Sequence, residues 1–224
     1  MTYQEITAIH DISTVAPSIT RRLVRIGCAV VVGLALCVLL FSGVTAADAP
    51  DCSAVSFDGN GSSTSPYEVS SLDQLQCVGH ADSESDYYDD FIQTDDINAE
   101  QTTMWNNGAG LEPIGTTTFG IFSGSYDGQG HEIRNLYIDR PNLEHVGLFN
   151  ETRGAISNLT ITDASVSGSE GGSPAIGILT GGIYYDSITS VSVSGKIAEV
   201  ESYSVGGVVG FSVPNLTSIT PRQT

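Results

Sequence analysis

The stretch ISNLTITDASVSG, Ile156 to Gly168, alternates apolar residues with small polar ones, as a half-buried strand does. Fragments of it recur along the chain: IRNLYI from Ile133, ITSVSV from Ile188 and LTSIT from Leu216. The first three copies share one order of apolar positions, carried by Ile133, Leu136 and Ile138, then Ile156, Leu159 and Ile161, then Ile188, Val191 and Val193. A second phrase is interleaved with the first: VGLF at Val146, IGIL at Ile176 and VGGVVG at Val205. Gly147, Gly177 and Gly207 stand 30 residues apart, and Gly210 closes the last phrase. A fixed period of this size marks a solenoid, in which each copy buries its apolar side chains only by stacking on the next.

Short runs of Ile, Val, Leu and Thr broken by Gly, Ser and Asn have strand composition. The expected fold is therefore mainly β, a right-handed parallel β-helix with one short helix before the repeats. An antiparallel sandwich of short strands is the alternative, and it leaves the period without a cause. Three segments follow: 1–46, a signal peptide or membrane anchor; 47–115, an acidic lead-in that caps the β-helix; and 116–224, the repeats, whose unfinished phrase at Leu216 suggests a truncated array. In the lead-in, SSLDQLQCV (Ser70 to Val78) predicts a helix, with Ser71 and Gln74 as a capping box. A strand is expected around Tyr88 to Thr94, and Trp105 with Pro113 to Gly115 would seal the first repeat.

Charge is the strongest bulk signal. The 224-residue chain has a formal net charge of −18, and from Ala47 onward it carries 24 Asp or Glu against five Arg or Lys. Such a surface repels nucleic acid and stays hydrated in concentrated salt, as in halophile-like acidic proteins; binding of cations is the other reading. Asp58, Asn60 and Ser62 of DGNGS place oxygens at alternate positions, as calcium loops do, but no bidentate Glu follows and the residues also suit a turn. Calcium is thus the one cofactor the sequence raises.

Arg21 and Arg22 precede Ile26 to Val44, nineteen residues without a charge. Cations on that flank hold it in the cytoplasm and send the rest of the chain out. The segment reads either as a signal cleaved after Ala46 or as a retained transmembrane helix, and the arginine pair resembles a twin-arginine export signal. The expected location is extracellular or on the cell surface. Cys52 and Cys77 then form an even pair outside the membrane, either as a disulfide or as two thiols. The sequons at Asn60, Asn150, Asn158 and Asn215 could carry glycans there, or be ordinary turn and strand residues.

FSGSYDGQGHEIRNLYI (Phe122 to Ile138), VGLFNETRGAISNLTITDASVSG and VGGVVGFS, with GNGSSTSPYEVSSLDQLQCV and DDFIQTDDIN upstream, resemble the GLUG-motif repeat family of bacterial and archaeal surface proteins. The resemblance covers Ser56 to Ser212. It implies an adhesin-like parallel β-helix rather than one reaction. The namesake motif is imperfect, since GLFN ends in Asn150 and only Gly207 to Gly210 keeps the spacing.

No reactive constellation declares itself. Asp95 and Asp96 are adjacent and would point to opposite faces of a strand, which does not flank a glycosidic bond. Arg134, Arg140, Arg153 and Lys196 are too scattered to stabilise a lyase anion, and His131 and His145 lack partners at metal-ligand spacing. The expectation is an exported, non-catalytic surface module for adhesion, envelope architecture or carbohydrate binding. Surface glycans or another envelope protein would be its partners, the N-terminal segment its tie to the membrane, and the last coil a place for capping or self-association. The alternative is a β-helix lyase or glycosidase with a groove lined by carboxylates and aromatics such as Tyr184 and Tyr185.

Overall fold

The computed structural model describes residues 48–79, 88–116, 121–168, 175–184, 187–198, 204–212 and 219–221. Arg21, Arg22, Ala46, Tyr185, Asn215 and the whole apolar export segment lie outside them. Packing divides the chain into two units, Met1–Thr45 and Ala46–Thr224. Among the described residues no helix is long and apolar enough to cross a membrane.

The second unit is mainly β, and its strands pair in parallel. The first ladder joins β1 (Tyr67–Val69), β2 (Asp90–Gln93), β4 (Ser125–Asp127), β9 (Ala155–Ser157), the start of β13 (Ile188–Ala198) and β16 (Ile219–Pro221). Tyr67, Phe91, Tyr126, Ile156, Ile188 and Ile219 lie in register along it. A second joins β3 (Ile97–Asn98), β5 (Glu132–Arg134), β10 (Thr160–Ser167) and the rest of β13, with Ile97, Ile133, Ile161 and Val193 in register. It continues through β6 (Tyr137–Asp139), which aligns Ile138 with Val166. The third joins β7 (His145–Val146), β11 (Ala175–Gly177) and β14 (Ser204–Gly206); the fourth joins β8 (Phe149–Thr152), β12 (Thr180–Ile183) and β15 (Val209–Ser212). Successive passes of the chain visit the ladders in the same order. Apart from isolated antiparallel bridges at Ser62–Ser65 and Gly110–Ile138, every strand pair is parallel, which removes the antiparallel sandwich and its reversing strands.

Alternation decides what is buried. Ile133, Leu136, Ile138, Ile156, Leu159 and Ile161 are fully buried, and each contributes about 1.5–3 kcal/mol relative to an exposed side chain. At the N-terminal end the core turns aromatic: Phe91, Phe122, Phe149 and Tyr126 follow one another at centroid distances of 5.2–6.1 Å. The Tyr126 hydroxyl is satisfied inside by donating to Gln93 Oε1 at 3.1 Å, while Gln93 Nε2 donates to the carbonyls of Asp95 and Glu132.

The lead-in is tied to this core by polar groups. The short helix Leu72–Gln76 is capped by Ser71, whose hydroxyl accepts from the Gln74 amide. Buried Gln76 then pairs with the backbone of Glu112 in both directions at 3.0 Å, as a neighbouring strand would. Cys52 and Cys77 are joined in a disulfide that holds the start of the unit to the helix end. Trp105, 1% exposed, sits in extended backbone at the kink that interrupts the helical turns of Glu100–Gly108, just before Asn106 (φ 53°) and Asn107 (φ 58°).

Register corrects two sequence-based alignments. Ile133 pairs with Ile161, not with Ile156, and Ile138 pairs with Val166. IRNLYI therefore stacks on ITDASV, whereas ISNLTI stacks on ITSVSV. The phrase belongs to two successive corners of each pass, and it recurs because both corners need the same geometry. Asn158 (φ 51°) and Ser190 (φ 55°) turn the first corner, Asn135 (φ 58°) and Asp163 (φ 52°) the second. Each sits in the left-handed region, which short polar side chains tolerate by bonding locally. Near the C-terminus, Ile219 pairs with Ile188, and Leu216 lies outside the described residues.

The second correction concerns glycine. Ile176 aligns with Val146, and Gly177 with Gly206, so Gly207 is displaced by one residue and this ladder steps by 30 and then 29 residues. A side chain on Gly147 would lie 2.7 Å from the Gly177 carbonyl oxygen, and one on Gly206 1.8 Å from that of Val209. Gly207 meets nothing within 4 Å. Gly210 keeps a packing role, since a side chain there would lie 2.4 Å from the Ile176 amide nitrogen.

Candidate functional site

Where the first corner stacks from pass to pass, the outer face carries a polar groove lined by Gln129, Gly130, Asn158 and Ser190. Two strands set its floor, since β4 delivers Asp127 to one side and β9 delivers Asn158 to the other. Asp127 organises it: one carboxylate oxygen accepts from the Gln129 amide at 2.9 Å and from Asn158 Nδ2 at 3.0 Å, and the other accepts from Gln129 Nε2 at 2.8 Å. Gly128 is required beneath, because a side chain there would strike the Asn158 carbonyl at 2.6 Å. Left over are amide oxygens and the Ser190 hydroxyl, a set that hydrogen-bonds hydroxyl-rich ligands and holds no nucleophile next to a base. Sequence reasoning named Asn158 only as a sequon and missed the groove. Its walls come from three passes, and nothing local joins Gln129 to Ser190.

The residues singled out from sequence go elsewhere. Asp96 accepts from the Glu132 amide at 3.0 Å and from His131 Nδ1 at 3.2 Å, and these bonds, that amide first, hold its carboxyl below the usual range. Asp95 accepts from the Asp96 amide at 2.8 Å, so the adjacent carboxylates serve one turn. His145 Nδ1 lies 2.7 Å from Glu151 Oε1, which also accepts from the Tyr184 hydroxyl at 3.2 Å. This contact between β7, β8 and the end of β12 is a tertiary product; 33 residues separate Glu151 from Tyr184. Arg140 donates to the carbonyls of Gly110 and Leu111, with burial lowering its guanidinium from the ordinary value, and Arg134 lies 3.6 Å from Glu132. Lys196 is exposed on β13, and Arg153 is exposed in the link after β8.

In the DGNGS loop, Asn60 Oδ1 accepts from both the amide and the hydroxyl of Ser62, at 3.1 and 2.7 Å. The Asp58 carbonyl receives the Glu68 amide at 2.9 Å. These are the bonds of a closed turn, and among the described residues no three His, Cys, Asp or Glu side chains gather as metal ligands. Of the other sequons, Asn150 lies within β8 with a buried Oδ1 that has no hydrogen-bond partner, and Asn158 is exposed at the groove.

No protein-family model matches the chain. Part of a curated protein does. The chain is similar to halomucin. The match to halomucin, from Haloquadratum walsbyi, runs over 165 residues at 35% identity, 73% of this chain and 2% of that protein. A protein of Evansella cellulosilytica named as a Gly-rich membrane protein is 31% identical over 143 residues, 63% of this chain and 16% of that one. The chain thus spans a small fraction of either relative. Among solved structures, one named as an immunoglobulin A1 protease from Bacteroides ovatus aligns with a TM-score of 0.44 and 19% identity, over 69% of this chain and 55% of the other.

Proposed function

We propose that the chain is an exported, non-catalytic module of the surface of a salt-adapted cell, built as a right-handed parallel β-helix of GLUG type. The observation that carries this reading is the 165-residue similarity to halomucin, by name a mucin, in a protein that is itself strongly acidic. The match to a protein named for the membrane points the same way. In favour of the solenoid stand the parallel ladders visited in fixed order, and right-handed crossover is the rule for parallel strands. In favour of a non-catalytic role stands the local use of carboxylates: Asp95 and Asp96 in one turn, Asp127 on neighbouring amides, Glu151 on His145 and Tyr184. The groove on the outer face is the surface that would meet glycans of the envelope, because its donors and acceptors match sugar hydroxyls.

Salt decides the test. A surface rich in carboxylates repels itself, and about 1 M salt cuts the screening length to about 3 Å. Thermal unfolding of the full chain, followed by circular dichroism from dilute to multimolar KCl, is expected to show a β signal whose midpoint rises steeply with salt. A midpoint that stays flat or falls would remove the salt-adapted reading. Release of reducing sugars from envelope polysaccharide by the purified protein would remove the non-catalytic one.

A further inference from the structure

We infer that Asn60 is the acceptor of an N-linked oligosaccharide, and that folding withholds Asn150 and Asn158 from the same modification. The inference rests on the exported reading above. Transfer of a glycan to asparagine requires a reachable side-chain amide with the hydroxyl of the residue two places on beside it. Asn60-Gly61-Ser62 meets both conditions. Asn60 and Ser62 are exposed, and the Ser62 hydroxyl and amide both donate to Asn60 Oδ1, which holds the two side chains together. Asn60 Nδ2 has no hydrogen-bond partner among the described residues. The loop is also preorganised: Gly59 (φ 97°) and Gly61 (φ 73°) supply left-handed corners, and Gly61 O accepts from the Asp90 amide at 2.8 Å.

The other two sequons fail on different grounds. Asn158 is exposed, but its Nδ2 is committed to Asp127 at 3.0 Å. Its sequon partner Thr160 pairs within the sheet with Glu132 on one side and Ser192 on the other. Asn150 runs through the middle of β8, where Thr152 is fully buried and its hydroxyl donates to the carbonyls of Phe122 and Gly154. A transferase could reach either one only by peeling a strand from its ladder. In the step itself, Asn60 Nδ2 attacks the anomeric carbon of a lipid-phosphate-linked oligosaccharide. A C–N bond forms, the bond from that carbon to the phosphate oxygen breaks, the lipid phosphate leaves with the electron pair, and one amide proton passes to a base of the transferase.

The test uses the folded full chain with membranes that contain an oligosaccharyltransferase and its lipid-linked donor, and a short Asn-x-Ser peptide as acceptor control. Intact mass should rise by one glycan, which tandem mass spectrometry assigns to Asn60. Asn60→Gln and Ser62→Ala should lose it, Ser62→Thr should keep it, and Asn158→Gln and Asn150→Gln should leave it unchanged. Transfer that survives Asn60→Gln, or none to the folded chain while the peptide is glycosylated, overturns the inference. Protection of the chain from protease added outside intact producing cells would count against export, independently of the acceptor result.

Discussion

Gly206 and Gly207 are chemically identical neighbours with opposite constraints. A methyl group at 206 would lie 1.8 Å from a carbonyl oxygen of its own turn, whereas one at 207 meets open space. Gly206→Ala is therefore expected to cost about 1–3 kcal/mol, the range for overpacking, and Gly207→Ala a small fraction of that, read as the difference in thermal midpoints. The 30-residue spacing pointed to the wrong member of the pair, because sequence counts residues while the ladder counts hydrogen-bonded positions. Asp96 makes the second prediction at this scale. Its folded-state pKa is lowered below 3.8, chiefly by the Glu132 amide and then by His131. A depressed carboxylate contributes stability above its unfolded pKa and loses it as pH falls through the folded value. Asp96→Asn should accordingly lower stability in the neutral range, where that contribution is fully present, and flatten the loss below about pH 4 so that variant and wild type converge in acid, as chemical denaturation at stepped pH would show.

Among the elements, the aromatic ladder at the N-terminal end holds a polar centre. Burial pushes the Tyr126 phenol far above its ordinary pKa, so it stays a neutral donor to Gln93 Oε1. Tyr126→Phe keeps the edge-to-face contact with Phe149 but leaves that oxygen buried and unpaired, at an expected cost of about 1–3 kcal/mol in denaturant unfolding. A neutral result would mean that the Gln93 oxygen finds another donor. The strand at Asp90–Gln93 and the helix at Leu72–Gln76 were legible from composition and from the Ser71 cap. Gln76 was not: on a short helix it looks like a surface residue, and only the backbone of Glu112, 36 residues on, makes it an internal splice.

For the whole molecule, the disulfide closes the lead-in across a sequence separation of 25 residues. In the chain-entropy account, opening a loop of this size costs about 3 kcal/mol, so Cys52→Ser with Cys77→Ser should lower the unfolding midpoint without changing the β signal. Retention of the wild-type midpoint would mean that Gln76 and the Phe57–Tyr67 contact hold the lead-in alone. What could be read from residues alone was the β character, the repetition and the acidity, because alternation, near-30-residue recurrence and charge are properties of order and composition. Which copies stack on which was a tertiary decision. IRNLYI and ISNLTI look like one phrase repeated, yet Ile133 lies against Ile161, since a left-handed corner between two apolar residues is needed twice in each pass and backbone pairing, not resemblance, selects the register. The groove at Gln129, Asn158 and Ser190 exists only after that choice. It is a column built from three passes, and its side chains become neighbours when the ladders fix which corner sits above which.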